Sequence, residues 1–225
     1  RGRLQKLFND RQGGHIDDIL IIDIDNRSLE KLGRFDNWPR SYHAQVIDFV
    51  TSGGALAIGF DILFMEPDID QEQDQLLISA TANANNVYHA MAFSQADENA
   101  FLYRMISPPQ GFAEEKFSFE ITDEIGKNFT VADRMDGKMI ELYNVSAGIG
   151  FANFFPDNDG VIRKMPLFLT FADRQYMGLA FSMVKGLLNV GAEHISIIPK
   201  KEIIIKPPGG DSSTIFRIPI DENGR

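Results

Sequence analysis

The chain has 225 residues, of which 44% are hydrophobic and 24% charged; that composition suits a folded domain and excludes disorder for most of the length. A formal charge of -10 opposes phosphate backbones and anionic headgroups, so no nucleic-acid partner and no basic-patch membrane attachment are expected. Without Cys there are no disulfides, zinc–thiolate centres or thiol nucleophiles.

Leu4, Leu7 and Phe8 share one face of a short amphipathic helix that Gly13-Gly14 ends. The run Ile19-Leu20-Ile21-Ile22 has the continuous apolar character of a strand buried on both faces and predicts a first central strand ending at Asp23-Ile24-Asp25. From Trp38-Pro39-Arg40 the period becomes helical, with Tyr42, Val46, Phe49 and Val50 predicted inward and Gly53-Gly54 as the stop. A second strand, Leu56 to Asp61, follows, so that strand, helix and strand make a right-handed parallel crossover. A helix over Gln71 to Asn85, with Leu76, Leu77, Ala80 and Ala84 inward, leads to a third strand, Val87 to Met91.

Residues 94–141 are less regular and read as an insertion or lid with a helix from Phe101 to Ile106. Gly148 to Phe155 and Val161 to Phe171 flank Asp157-Asn158-Asp159-Gly160 and predict a hairpin, because Asp-Gly tolerates the positive φ of such turns. A helix with Leu179, Met183 and Leu187 along one stripe then precedes strands over Glu202 to Lys206 and Ile215 to Ile218. The whole reads as one α/β domain over 1–225: a mostly parallel central sheet flanked by helices in 15–93, the insertion in 94–141, and a C-terminal β-rich part in 142–225.

The candidate binding residues are acidic. Asp23, Asp25 and Asp61 stand at predicted strand ends, where open parallel sheets bind ligands. Such carboxylates either hold a cation, a sugar or an amine, or cap the following turns through backbone N–H groups. A phosphatase of the Asp-x-Asp type wants Thr or Val where Arg27 stands, which leaves an acid-metal phosphohydrolase a remote alternative. The Asp157 to Gly160 turn lacks the oxygen ligands of a calcium loop, since Phe155 and Pro166 occupy the required positions. His15, His43, His89 and His194 show no metal-ligand spacing, and no Gly-x-Ser-x-Gly elbow is present. Trp38 and Arg40 either line a cleft or anchor a helix start. No catalytic residue, metal or cofactor is expected.

These segments together resemble the CHASE domain of the second type, a family of extracytoplasmic sensory modules in bacterial transmembrane receptors. The resemblance rests on ILIIDIDNRSLEKLG, on WPRSYHAQVIDFVTSGGALAIGFDILFMEPD with its Pro39, Arg40, Gly54, Phe60 and Phe64, and on SAGIGFANFFPDNDGVIRKMPLF with its Asn153, Asp157, Asp159, Gly160, Arg163 and Pro166. IDENGR resembles the turn before the family's last strand. The family's tract is usually closer to Trp-Pro-Trp-Pro-Arg, and Phe35-Asp36-Asn37 stands before Trp38 here. The resemblance implies a juxtamembrane helix over 1–12, transmembrane helices outside the sequence on both sides, and a cytoplasmic nucleotide cyclase, histidine kinase or Ser/Thr kinase output. It further implies a homodimer that takes a small-molecule or protein ligand, or else a dimerisation or protein-docking scaffold.

Overall fold

The computed structural model describes residues 19–94, 107–120, 129–153, 159–162, 164–198, 200–210 and 215–221. The expected helices over 4–10 and 101–106, together with Asp157 and Arg163, lie outside the described residues. The chain divides into two compact units, Arg1–Trp38 and Pro39–Arg225.

In the first unit, residues 19–25 are not the expected central strand. Leu20 and Ile21 are both 82% exposed, and no described residue pairs with the segment. A strand is held by its ladder partners, and an apolar run states a demand for burial without supplying those partners. Helix α1, Asn26–Leu32, follows, and the chain leaves it at Gly33, whose φ of 81° suits a residue without Cβ.

In the second unit, helix α2 spans Arg40–Ser52, strand β1 Ile58–Phe60, helix α3 Gln71–Ala84 and strand β2 Val87–Ser94. Strands β1 and β2 are parallel, with Ile58 opposite Val87, as the predicted crossover requires. Helix α3 starts on Asp70, whose carboxylate accepts from Glu72 N–H, and stops at Asn85 in the left-handed region. The helix bounds match the sequence reading, and so does most of the inward face of α3, where Leu77 and Ala80 are buried and Ala84 packs on the core; the buried face of α2 is rotated. His43, Ala44 and Ile47 are buried on α2 while Tyr42 and Phe49 are exposed. On α3 the buried residues are Asp74, Leu77, Ala80 and Thr81, and Leu76 is exposed. The buried stripes of both helices include polar side chains, His43 on α2 and Asp74 and Thr81 on α3, that a hydrophobicity pattern assigns to solvent.

The remaining elements are helix α4 (Glu114–Phe117), strands β3 (Ser118–Phe119), β4 (Thr130–Val131) and β5 (Arg134–Asp136), and helix α5 (Ile140–Val145). Then come strands β6 (Gly148–Phe151), β7 (Phe168–Phe171) and β8 (Arg174–Met177), helix α6 (Leu179–Leu187), and strands β9 (Ile195–Ile198), β10 (Glu202–Ile205) and β11 (Phe216–Pro219). Strand β2 is the hub of the main sheet: β1 and β6 run parallel to it, and β5 joins its last residues antiparallel. The turn of the expected hairpin at 157–160 falls partly outside the described residues; among the described residues β6 and β7 do not pair with each other, since β6 pairs with β2 and β7 with β8. The β7–β8 hairpin turns at Ala172 and Asp173, both with positive φ. Helix α6 buries Phe181 and Ser182, and Leu187 of the expected stripe is half exposed.

The two faces of the sheet follow the strand alternation. A Cβ on Gly59 would lie 2.7 Å from Met183 Sδ, so Gly59 faces α6, while Phe60 faces His43 of α2 at 6.1 Å between ring centroids. At the end of β6, Asn153 continues the ladder with its side chain: Oδ1 accepts from Phe93 N–H at 2.9 Å and Nδ2 donates to Phe93 O at 2.5 Å. The C-terminal part is β-rich as expected: β7 and β8 form a four-stranded sheet β3-β8-β7-β4 with two strands from residues 94–141, and β9 to β11 form a three-stranded antiparallel sheet β11-β10-β9. Phe129, Phe168, Met177, Phe181, Ile203 and Ile205 fill their common core.

Candidate functional site

The predicted site residues divide between the two units. In the first, Asp23 is exposed, and Asp25 caps α1: its Oδ1 accepts from Ser28 N–H and Ser28 Oγ–H, both at 2.9 Å. The next residues, Asn26 to Leu32, form helix α1, and a carboxylate at its N-cap takes up one of the orphan donors of the first turn. Trp38 donates its indole N–H to Gly33 O at 3.0 Å and meets Phe35 edge-on, with ring centroids 5.4 Å apart. Both contacts fold the unit on itself.

In the second unit Arg40 is the organising residue. It is the first residue of α2, after Pro39, whose φ of -65° sets the chain for helix entry. The loop after β1 brings Phe64, Glu66 and Asp68 around it, and the first turn of α3 brings Asp74. The guanidinium lies over the Phe64 ring at 4.6 Å from its centroid and donates from Nη2 to Glu66 O at 3.1 Å. Its Nε stands 3.6 Å from Asp74 Oδ1 and 4.0 Å from Asp68 Oδ2. Asp74 is 6% exposed, and its other oxygen accepts from Asp68 N–H at 2.8 Å. Lys138 grips the Glu66 carboxylate at 2.9 and 3.0 Å, and Tyr143 O–H donates to Phe64 O at 3.3 Å. Burial pushes the Tyr143 phenol up to about 12, so it remains a donor at any physiological pH.

This clasp fastens the loop at the carboxyl end of β1 to two helices. Every charged member has an opposite charge beside it, which suits a positional lock better than a general acid or base. Asp61 is exposed in the same loop. Of the other motif residues, Phe60 and Phe64 are buried, Gly54 has φ 83°, Asp159 Oδ1 accepts from Val161 N–H at 3.1 Å in the turn at Gly160, and Pro166 is buried. Among the described residues, no three His, Cys, Asp or Glu side chains are grouped so as to hold a metal ion.

The sequence reading named Arg40 and missed its partner. Asp74, Leu77 and Thr81 recur at helical spacing, which places an acid on a buried stripe, and that pattern was the available signal. It named His89 only as a histidine without metal-ligand spacing, and the structure buries it wholly within β2.

The family model of the CHASE2 domain matches residues 2–225, and the chain belongs to that family. CHASE2 domains are extracytoplasmic sensory domains, not catalysts. No curated protein and no solved structure shows a significant match. No helix among the described residues is long and apolar enough to cross a membrane.

Proposed function

We propose that this domain is the signal-input module of a transmembrane receptor, tethered by flanking membrane helices, with a nucleotide cyclase, histidine kinase or Ser/Thr kinase as its cytoplasmic output. The observation that carries the reading is the family match over residues 2–225. The domain works as a homodimer and takes a small molecule or a protein from outside the cytoplasm. The candidate ligand-reading residues are Asp23, Asp25 and Trp38 in the first unit and, taken separately, Arg40 and Asp61 in the second. Binding near Arg40 has a physical route to an output: the clasp joins α2, α3 and the loop after β1, so a ligand that favours one arrangement of the three shifts the population of that arrangement.

Thermal melts of the domain against divalent cations, amino acids, sugars, nucleotides and organic acids test the small-molecule form. A specific ligand at a hundred times its Kd adds about 2.7 kcal/mol, a rise in Tm of roughly 5–10 °C for a chain of this size. A rise that Asp25→Ala or Arg40→Lys removes supports the sensor and locates its site. No rise with any class favours a dimerisation or docking scaffold.

A further inference from the structure

His89 sits at the middle of β2 with no exposed surface, and His43 of α2, 6% exposed, lies across the same aromatic group. Phe60 stacks on the His89 ring at 5.2 Å between centroids, and Phe64 meets His89 at 5.7 Å and His43 at 5.3 Å. The Nε2 of His89 shares a hydrogen bond with Thr81 Oγ1 of α3 at 3.2 Å, and its Nδ1 has no hydrogen-bond partner. From α2 the Arg40 charge, of the same sign as an imidazolium, acts on His43. From α3 come Thr81 and Asp74, the latter engaged by Arg40 and Asp68 N–H. Strand β1 and the loop after it contribute the rings of Phe60 and Phe64. A protonated His89 would have two N–H donors, one acceptor and no carboxylate of its own.

We propose that His89, with His43 beside it, makes the α2–α3 layer an acid-sensitive element: protonation inside the Phe60–Phe64–Thr81 cage releases the two helices from the sheet. The inference concerns the fold and does not rest on the receptor reading. Burial holds His89 down to about 3, with His43 adding to the effect, and burial, then the Arg40 charge, holds His43 down to about 4. The opened layer therefore binds more protons than the closed one below about pH 6.5, and the closed form weakens steadily as pH falls from there toward these values.

Hydrogen–deuterium exchange of the full chain at pH 7 and pH 5, corrected for the intrinsic rate, tests this. Protection of α2 and α3 amides should fall at least about tenfold relative to β7–β8 and β9–β11. In His89→Gln, which keeps a donor for Thr81 but does not titrate, that selective fall should shrink severalfold to the share that His43 contributes, and in the double variant His43→Gln with His89→Gln it should vanish. A uniform fall across all elements, no fall, or an equal fall in His89→Gln would overturn the proposal. Should His89→Gln fail to fold, the ring signals of His89 in the wild-type protein decide by NMR. Titration that coincides with loss of α2–α3 protection supports the device, and a ring that becomes charged while protection stays intact rules it out.

Discussion

Gly150→Ala is expected to destabilise the domain by about 3 kcal/mol or to prevent folding, at the upper end of what overpacking does. Gly150 lies in β6, buried, opposite Ala90 of the hub strand. A Cβ there would fall 2.3 Å from Leu179 Cα and 2.4 Å from Leu179 N, at the entry of α6. Those atoms are backbone and have no rotamer by which to retreat, so β6 would have to leave β2 or α6 would have to leave the sheet. Urea denaturation measures the effect, and a loss under about 1 kcal/mol would mean that the strand and helix approach less closely than described. Gly150 thus has a steric reason, and Asn153, three residues on and clipped onto Phe93, has a hydrogen-bonding one.

Removal of Arg40 has the second large effect. Arg40→Ala leaves Asp74 buried without its cation, a situation that costs about 3–5 kcal/mol. Arg40→Lys keeps the charge but loses the planar fork over Phe64 and the reach to Glu66 O, so its loss is smaller but still measurable. The double variant Arg40→Leu with Asp74→Leu removes both charges together and should recover to within about 1 kcal/mol of the wild type. That recovery separates a lock between two charges from a requirement for Arg40 itself. Arg40→Ala tolerated as well as the double variant would show that the Arg40–Asp74 pair contributes nothing to the fold.

Much of the fold can be read from the sequence because its signals are local. The bounds of α2 and α3, the parallel pairing of β1 with β2, and the β-rich C-terminal part follow from period, glycine stops and buried runs. What escaped depends on which partner each segment finds. Ile19 to Ile22 has the composition of a central strand, yet it forms no ladder with the described residues. The Asp-Gly at 159–160 suits a hairpin, but the flanking strand β6 is taken by β2, while Ala172-Asp173, with neither Gly nor Asn, makes the turn between β7 and β8. Helix period gave the existence of α2 but not which of its faces is buried, because the buried stripe contains His43. Arg40 could be singled out as a charge beside an aromatic at a helix start. Its partner Asp74 lies 34 residues away, and only the packing of α2 on α3 joins them.

The most direct test of the sensory role is the output activity of the intact receptor in membranes, with residues 19–221 present or replaced by an inert soluble domain of similar span. Extracts of growth medium are applied to the extracytoplasmic side in both cases. A domain that supplies the input predicts an output that changes severalfold with at least one extract and becomes indifferent to all of them after the replacement. Output that responds identically with and without the domain would contradict the sensory role.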